Sequence, residues 1–167
     1  ITILEGADNS AHMIITGHIN DINNALNNLK YLSQENYNGP DKVTFNLDDL
    51  GNSGAEDNKY TSGVINLNVT PVNDAPTLSV SSPTTVTEDG YVEMGDINVA
   101  DLDATEGDGN IRVTLSVSNG TLSLNSISNL LFESGADEEA NMVIVGTAAE
   151  LNNALYNLRY FPDLNYN

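Results

Sequence analysis

The sequence predicts an all-β protein: a Greek-key β-sandwich with one short helix per repeat, strung in a tandem array. Three observations carry that expectation: internal self-similarity over a long period, strands that alternate apolar and polar residues, and turn residues placed between them.

The repeat comes first. Shifting the 167-residue chain by 129 positions lays residues 1–38 on 130–167 without a gap, and 17 of those 38 positions are identical. Gly6-Ala7-Asp8 falls on Gly135-Ala136-Asp137, Asn23-Asn24-Ala25-Leu26 on Asn152-Asn153-Ala154-Leu155, and Asn36-Tyr37-Asn38 on Asn165-Tyr166-Asn167. Residues 1–70 are therefore expected to be the C-terminal half of one repeat and 78–167 the N-terminal half of the next. Residues 71–77 are the expected linker, stiffened by Pro71 and Pro76. Opening on Ile1, the chain reads as a piece of something longer.

The elements follow in order. Ile19, Ile22, Leu26 and Leu29 recur at helical spacing. Val43, Phe45 and Leu47 alternate within Lys42 to Asp48, as do Ile65, Leu67 and Val69 within Gly63 to Val69, so each predicts a strand with one buried face. Past the linker, Ile97 and Val99 mark a strand, and Val113, Leu115 and Val117 another over Arg112 to Ser118. Asn119-Gly120, followed by Leu122 and Leu124, predicts a tight hairpin because both central turn positions want positive φ. Thr147-Ala148-Ala149-Glu150 has the capping-box spacing and opens a helix whose Leu151, Leu155 and Leu158 form a stripe. Such short helices are expected to close the edge of a sandwich core.

Composition limits the chemistry. With 24 Asp plus Glu against 5 Lys plus Arg, the formal charge is −19, and five scattered cations cannot make a footprint for nucleic acid or an anionic membrane surface. No apolar run approaches the roughly 18 residues of a membrane span. The chain lacks cysteine, which excludes disulfides and thiolate metal sites. Hard oxygen ligands are what remains in excess, so Ca²⁺ is the expected cofactor. Asp101 and Asp103, read as alternate residues of extended backbone, point two carboxylates the same way, a repulsion that a bound cation turns into coordination.

Val72-Asn73-Asp74-Ala75-Pro76 resembles the joint of bacterial cadherin-like tandem repeats in large RTX-type surface adhesins. Thr87-Glu88-Asp89-Gly90, Ala100-Asp101-Leu102-Asp103-Ala104, Ser118-Asn119-Gly120-Thr121-Leu122 and Gly146-Thr147-Ala148-Ala149-Glu150-Leu151-Asn152 stand in the order that family has. The resemblance implies a cadherin-like, Ig-like sandwich binding Ca²⁺ where one domain meets the next. Carried over by position, Asn73 and Asp74 match the linker ligands, Asp101 and Asp103 the paired aspartates, and Asn110 a ligand acting through its carbonyl. If the strand after the linker runs down and the next returns, the Asp101 loop comes back to the linker. By the same count Asp41 would close that site from the preceding domain, Glu88 lies toward the next joint, and Asp49 faces the joint upstream. The eukaryotic acidic signature is replaced by Asn36-Tyr37-Asn38-Gly39. Arg112 stands where an EF-hand would need its twelfth-position Glu.

Catalysis is not expected. His12 and His18 fall on Asn141 and Thr147 in the other copy, so neither belongs to the repeat. Asp101 and Asp103 share one loop instead of facing across a cleft. The expected function is a calcium-rigidified structural extender of a secreted bacterial adhesin, supporting cell adhesion or biofilm attachment at the cell surface. Its partners would be neighbouring repeats of the same chain, with any glycan or protein ligand elsewhere in the parent protein. The alternative is a sandwich that itself binds glycan or a partner chain, for which Tyr60, in the loop Asn52 to Ser62, and Tyr91 are the available aromatics.

Overall fold

Alternating sequence becomes strand where a neighbouring strand is present to take its backbone hydrogen bonds, and the two copies of the repeated piece show this within one chain. The computed structural model describes residues 1–51, 57–80 and 85–166. The chain divides into two units, residues 1–72 and 73–167. Both are built mostly of β-strands in small sheets, with a short helix in each.

In the first unit, β1 (Thr2–Gly6) and β2 (Met13–Thr16) form an antiparallel pair with a bulge between Ile3 and Glu5. Helix α1 (Ile19–Leu26) follows. The long strands β3 (Gly39–Asp48) and β4 (Tyr60–Val69) pair antiparallel over ten positions, from Gly39 opposite Val69 to Asp48 opposite Tyr60. Directly opposed residues share a face. One face of this hairpin therefore collects Val43, Phe45, Leu47, Ile65, Leu67 and Val69, and the other Lys42, Thr44, Asn46, Asn66 and Asn68. No residue of α1 is buried.

The second unit holds the core. Its strands are β5 (Thr77–Ser79), β6 (Val92–Met94), β7 (Asn98–Ala100), β8 (Asn110–Ser116), β9 (Gly120–Ser123), β10 (Leu131–Ser134), β11 (Asn141–Thr147) and β12 (Leu158–Pro162), with α2 (Ala148–Leu155) between the last two. They make three sheets, ordered β10-β11-β8, β6-β12-β9 and β5-β7. Val99, Leu122, Leu124, Met142, Ile144, Leu151, Ala154, Leu155 and Leu158 are packed together and buried. Residues of both three-stranded sheets, of β7 and of α2 thus share one interior.

The duplicated piece folds alike where its contacts are local. Displaced by 129 residues, α1 coincides with α2, and the β1–β2 register, bulge included, recurs in β10–β11. It differs where the contacts are distant. Residues 158–162 form β12 between β6 and β9, whereas their copy, residues 29–33, forms no strand in a unit without those neighbours. Leu155 is 1% exposed and Leu158 3%, while their copies Leu26 and Leu29 are 38% and 49% exposed. Identical residues face a packed interior in one setting and water in the other.

Three expectations need correction. Leu158 lies on β12 and not on the helix, which ends at Leu155 because Tyr156 is already extended at φ −60° and ψ 122°. The α1 stripe closes no core. Asn119-Gly120 does not turn a hairpin, because β8 and β9 belong to different sheets. Gly120, at φ 148°, carries the chain between them, and a Cβ there would lie 2.2 Å from the Phe161 carbonyl oxygen. Close backbone approach is thus the reason for this glycine.

Candidate functional site

Of the residues expected to hold a cation, Asn73, Asp74, Asp101 and Asp103 lie beside the β5–β7 pair. Thr77 lies opposite Ala100, which brings the loop after Ala100 back beside the residues preceding Thr77, as the chain-direction count anticipated. Strand β7 is fixed from behind. The Asn152 amide accepts from the Val99 N–H at 2.7 Å and donates to the Val99 carbonyl at 2.9 Å, replacing a strand neighbour with a helix side chain. The loop leaves from that clamped strand.

Within it the aspartates are wired to backbone. The Asp103 N–H donates to Asp101 Oδ1 at 2.9 Å, and the Asp74 N–H donates to Asp103 Oδ2. Both carboxylates are half-buried. Residues 102–106 form a turn, with the Glu106 N–H on the Asp103 carbonyl at 2.8 Å. The alternate-residue argument for Asp101 and Asp103 therefore does not hold: Asp103 stands in a turn, and it is its N–H that meets the Asp101 carboxylate. Gly109 ends the loop at φ 72°, where a Cβ would stand 2.9 Å from the Ala104 carbonyl oxygen.

The remaining expected ligands are distributed as follows. Asn73 donates from its side chain to the Asp74 carbonyl at 3.0 Å. Asn110 donates its N–H to Asp108 Oδ1 at 3.0 Å, and this backbone bond, with one from the Asn110 side chain, holds the Asp108 carboxyl below its usual range. Glu88 is exposed in the turn closed by the Gly90 N–H on the Thr87 carbonyl, and neighbouring Asp89 accepts from the Asn165 N–H at 3.3 Å. Asp41 and Asp49 lie in the first unit, at opposite ends of the β3–β4 hairpin. Asp41 accepts from the Tyr31 hydroxyl at 2.6 Å, and the Tyr31 phenol is pushed up to about 12 by that bond. Asp49 accepts from the Lys59 and Gly51 N–H groups, which lower its pKa and close the hairpin loop.

Asp74, Asp101 and Asp103 are thus brought onto one hydrogen-bonded loop, with Asn73 adjoining. Among the described residues, no three His, Cys, Asp or Glu side chains converge closely enough to hold an ion. The donors still suit a hard cation. Asp101 and Asp103 offer half-buried carboxylates, and the rest of a shell of six to eight oxygens would come from backbone carbonyls, Asn side chains and water. The sequence reading missed Asn152 and Asp108. A signal existed for each: Asn152 is one of the identical positions of the repeat, and Asp108 precedes Asn110 by the two residues of an aspartate turn.

The aromatics of the alternative reading are differently placed. Tyr60 starts β4 and lines an open hollow of about 350 Å³ with Asn46, Leu47, Thr61 and Ser62. Residues 52–56 of its loop lie outside the described residues. Tyr91 packs against Phe161 with centroids 5.4 Å apart, and the Arg159 guanidinium lies 5.7 Å from its ring centroid. Arg159 is in turn paired with Glu93 at 3.1 Å.

Residues 1–59 match the family model described as Protein GAMETE EXPRESSED 2 domain. That overturns the resemblance to bacterial cadherin-like repeats of RTX-type adhesins, and with it the bacterial adhesin and biofilm assignment. The motifs behind the resemblance are short runs at turns, joints and one helix cap, which recurring β-modules of other families also need. No curated protein and no solved structure matches the chain. Among the described residues, no helix is long and apolar enough to cross a membrane.

Proposed function

We propose that the chain is a structural spacer, made of Greek-key β-sandwich modules in tandem and stiffened by Ca²⁺ at the joint loop between β7 and β8. The observation that carries this reading is the Asp74 N–H bond to the Asp103 carboxylate, which ties the backbone after Pro71 to a loop that also holds Asp101. A cation at Asp101 and Asp103 would relieve the crowding of like charges in a chain of net charge −19, and would hold the joint segment against the β5–β7 pair. Asp101 and Asp103 would bind the ion, and Asn73, Asp74 and Asn110 would orient the loop or complete the shell. Weak sites of this kind work at the millimolar Ca²⁺ found outside cells, which favours an extracellular setting.

Calorimetric titration of Ca²⁺ into the chain tests the reading. Saturable binding that disappears in the Asp101→Ala and Asp103→Ala double variant is the expected result. Unchanged binding in that variant would place the ion elsewhere, and no heat of binding in the parent chain would reject calcium as the stiffening element.

A further inference from the structure

We propose that residues 73–79 form a strap that detaches from the second unit on its own, leaving β7 and the core in place and lengthening the free chain after β4. Among the described strands of that unit, β5 alone has no residue that is even half-buried: Thr77, Leu78 and Ser79 are all exposed, Leu78 to 65%. Of residues 73–79 only Asp74 is half-buried. The strap thus gains little from apolar burial, and its polar ties are few. It pairs with β7 at three positions, the Thr77 hydroxyl donates to the Ala100 carbonyl at 3.2 Å, and the Asp74 N–H donates to the Asp103 carboxylate.

Strand β7 does not need the strap. Successive residues of a strand turn their N–H and C=O groups to opposite sides. Val99 gives both of its groups to Asn152 and its side chain, 4% exposed, to the core. Asn98 and Ala100 therefore turn theirs toward β5, opposite Ser79 and Thr77. Both are exposed, so water takes over their hydrogen bonds when the strap leaves. A segment held this way opens at the low end of the local free energies of a folded protein, whereas Met142 and Ile144, in the buried centre, open only with the whole unit. Once detached, the seven residues reach up to roughly 25 Å at about 3.5 Å each, slack that the segment following β4 gains without loss of the core. Every contact in this argument is made by the chain itself, so the strap stands or falls apart from the calcium reading.

Residue-resolved hydrogen exchange of the full chain, read by NMR in EDTA, tests the opening separately from any cation effect. The Asn98 and Ala100 N–H groups are expected to exchange about 100-fold or more faster than the Val99 N–H between them, which Asn152 holds, with Met142 and Ile144 at the slow limit set by global unfolding. Thr77→Pro deletes the N–H and the hydroxyl with which the strap begins its pairing. It should quicken exchange at Asn98 and Ala100 and leave the urea midpoint of the main transition in place. One common exchange rate for Asn98, Val99 and Ala100 would mean that the strap and β7 open together. That result, or a main transition lowered by Thr77→Pro as far as a core substitution lowers it, would overturn the proposal.

Discussion

Asn152 holds Val99 by both of its backbone groups, the N–H at 2.7 Å and the carbonyl at 2.9 Å, and so joins α2 to the strand from which the aspartate loop departs. A side-chain amide in that position satisfies a donor and an acceptor that a neighbouring strand would otherwise take. Truncation leaves both half-buried groups without it.

Asn152→Ala is therefore expected to destabilise the second unit by about 2–4 kcal/mol. Asn23→Ala, the same change in the exposed copy, should stay within about 0.5 kcal/mol. Urea unfolding followed by circular dichroism would read both. Equal effects would mean that the clamp contributes nothing beyond helix propensity.

The helix stripe gives a second paired test. Leu155→Ala removes a side chain that is 1% exposed and should cost about 3–5 kcal/mol, whereas Leu26→Ala, at 38% exposure, should cost about 1 kcal/mol or less. Differential scanning calorimetry would show the main transition shifted by the first substitution and nearly unmoved by the second.

Much of this was legible in the residues, and the boundary of legibility is physical. The repeat, β3, β4 and β8 could be read because period-two alternation and self-similarity are properties of the chain itself. The cap of α2 was equally plain: Thr147 accepts from the Glu150 N–H, and the Glu150 carboxylate returns to the Thr147 N–H at 2.8 Å. What could not be read was partnership. Leu29 and Leu158 are the same residue in the same motif, yet only Leu158 finds β6 and β9 beside it. Asn119-Gly120 has hairpin chemistry, but β8 is already paired with β11 and β9 with β12. The aspartate pair was identified with the wrong local geometry, since side-chain bonds within a turn leave no periodic trace.

Gly120→Ala tests that last crossing between sheets. A Cβ 2.2 Å from a backbone oxygen cannot be accommodated without moving β12, so a loss of about 2–4 kcal/mol is expected, against about 1 kcal/mol or less for Gly95→Ala, where a Cβ meets nothing within 4 Å. Thermal melts of the two variants would rank them.

Two titrations have signs that can be worked out. The Tyr31 phenol is raised to about 12 by donating to Asp41, so the stability from this bond is fully present below the ordinary tyrosine pKa near 10 and is lost as pH rises through about 12. Ultraviolet titration should show one late tyrosine, returning toward 10 in Asp41→Asn. Glu150 is depressed, first by the Thr147 N–H and then by its hydroxyl, so its contribution is present above the ordinary glutamate pKa near 4.3 and fades as pH falls through the lowered value. The acid melting of α2, followed by circular dichroism, should move upward in pH in Glu150→Gln.

The measurement that bears most directly on the spacer reading is the melting temperature of the chain in EDTA and in millimolar Ca²⁺, run beside the Asp101→Ala and Asp103→Ala double variant. Binding to the folded state alone contributes about 2.7 kcal/mol at a hundredfold excess over the dissociation constant, which should raise the parent chain by several degrees and leave the variant unmoved. Mg²⁺ should substitute poorly, because it demands octahedral geometry and surrenders water reluctantly. Melting temperatures that coincide in EDTA and Ca²⁺ for the parent chain would contradict the account.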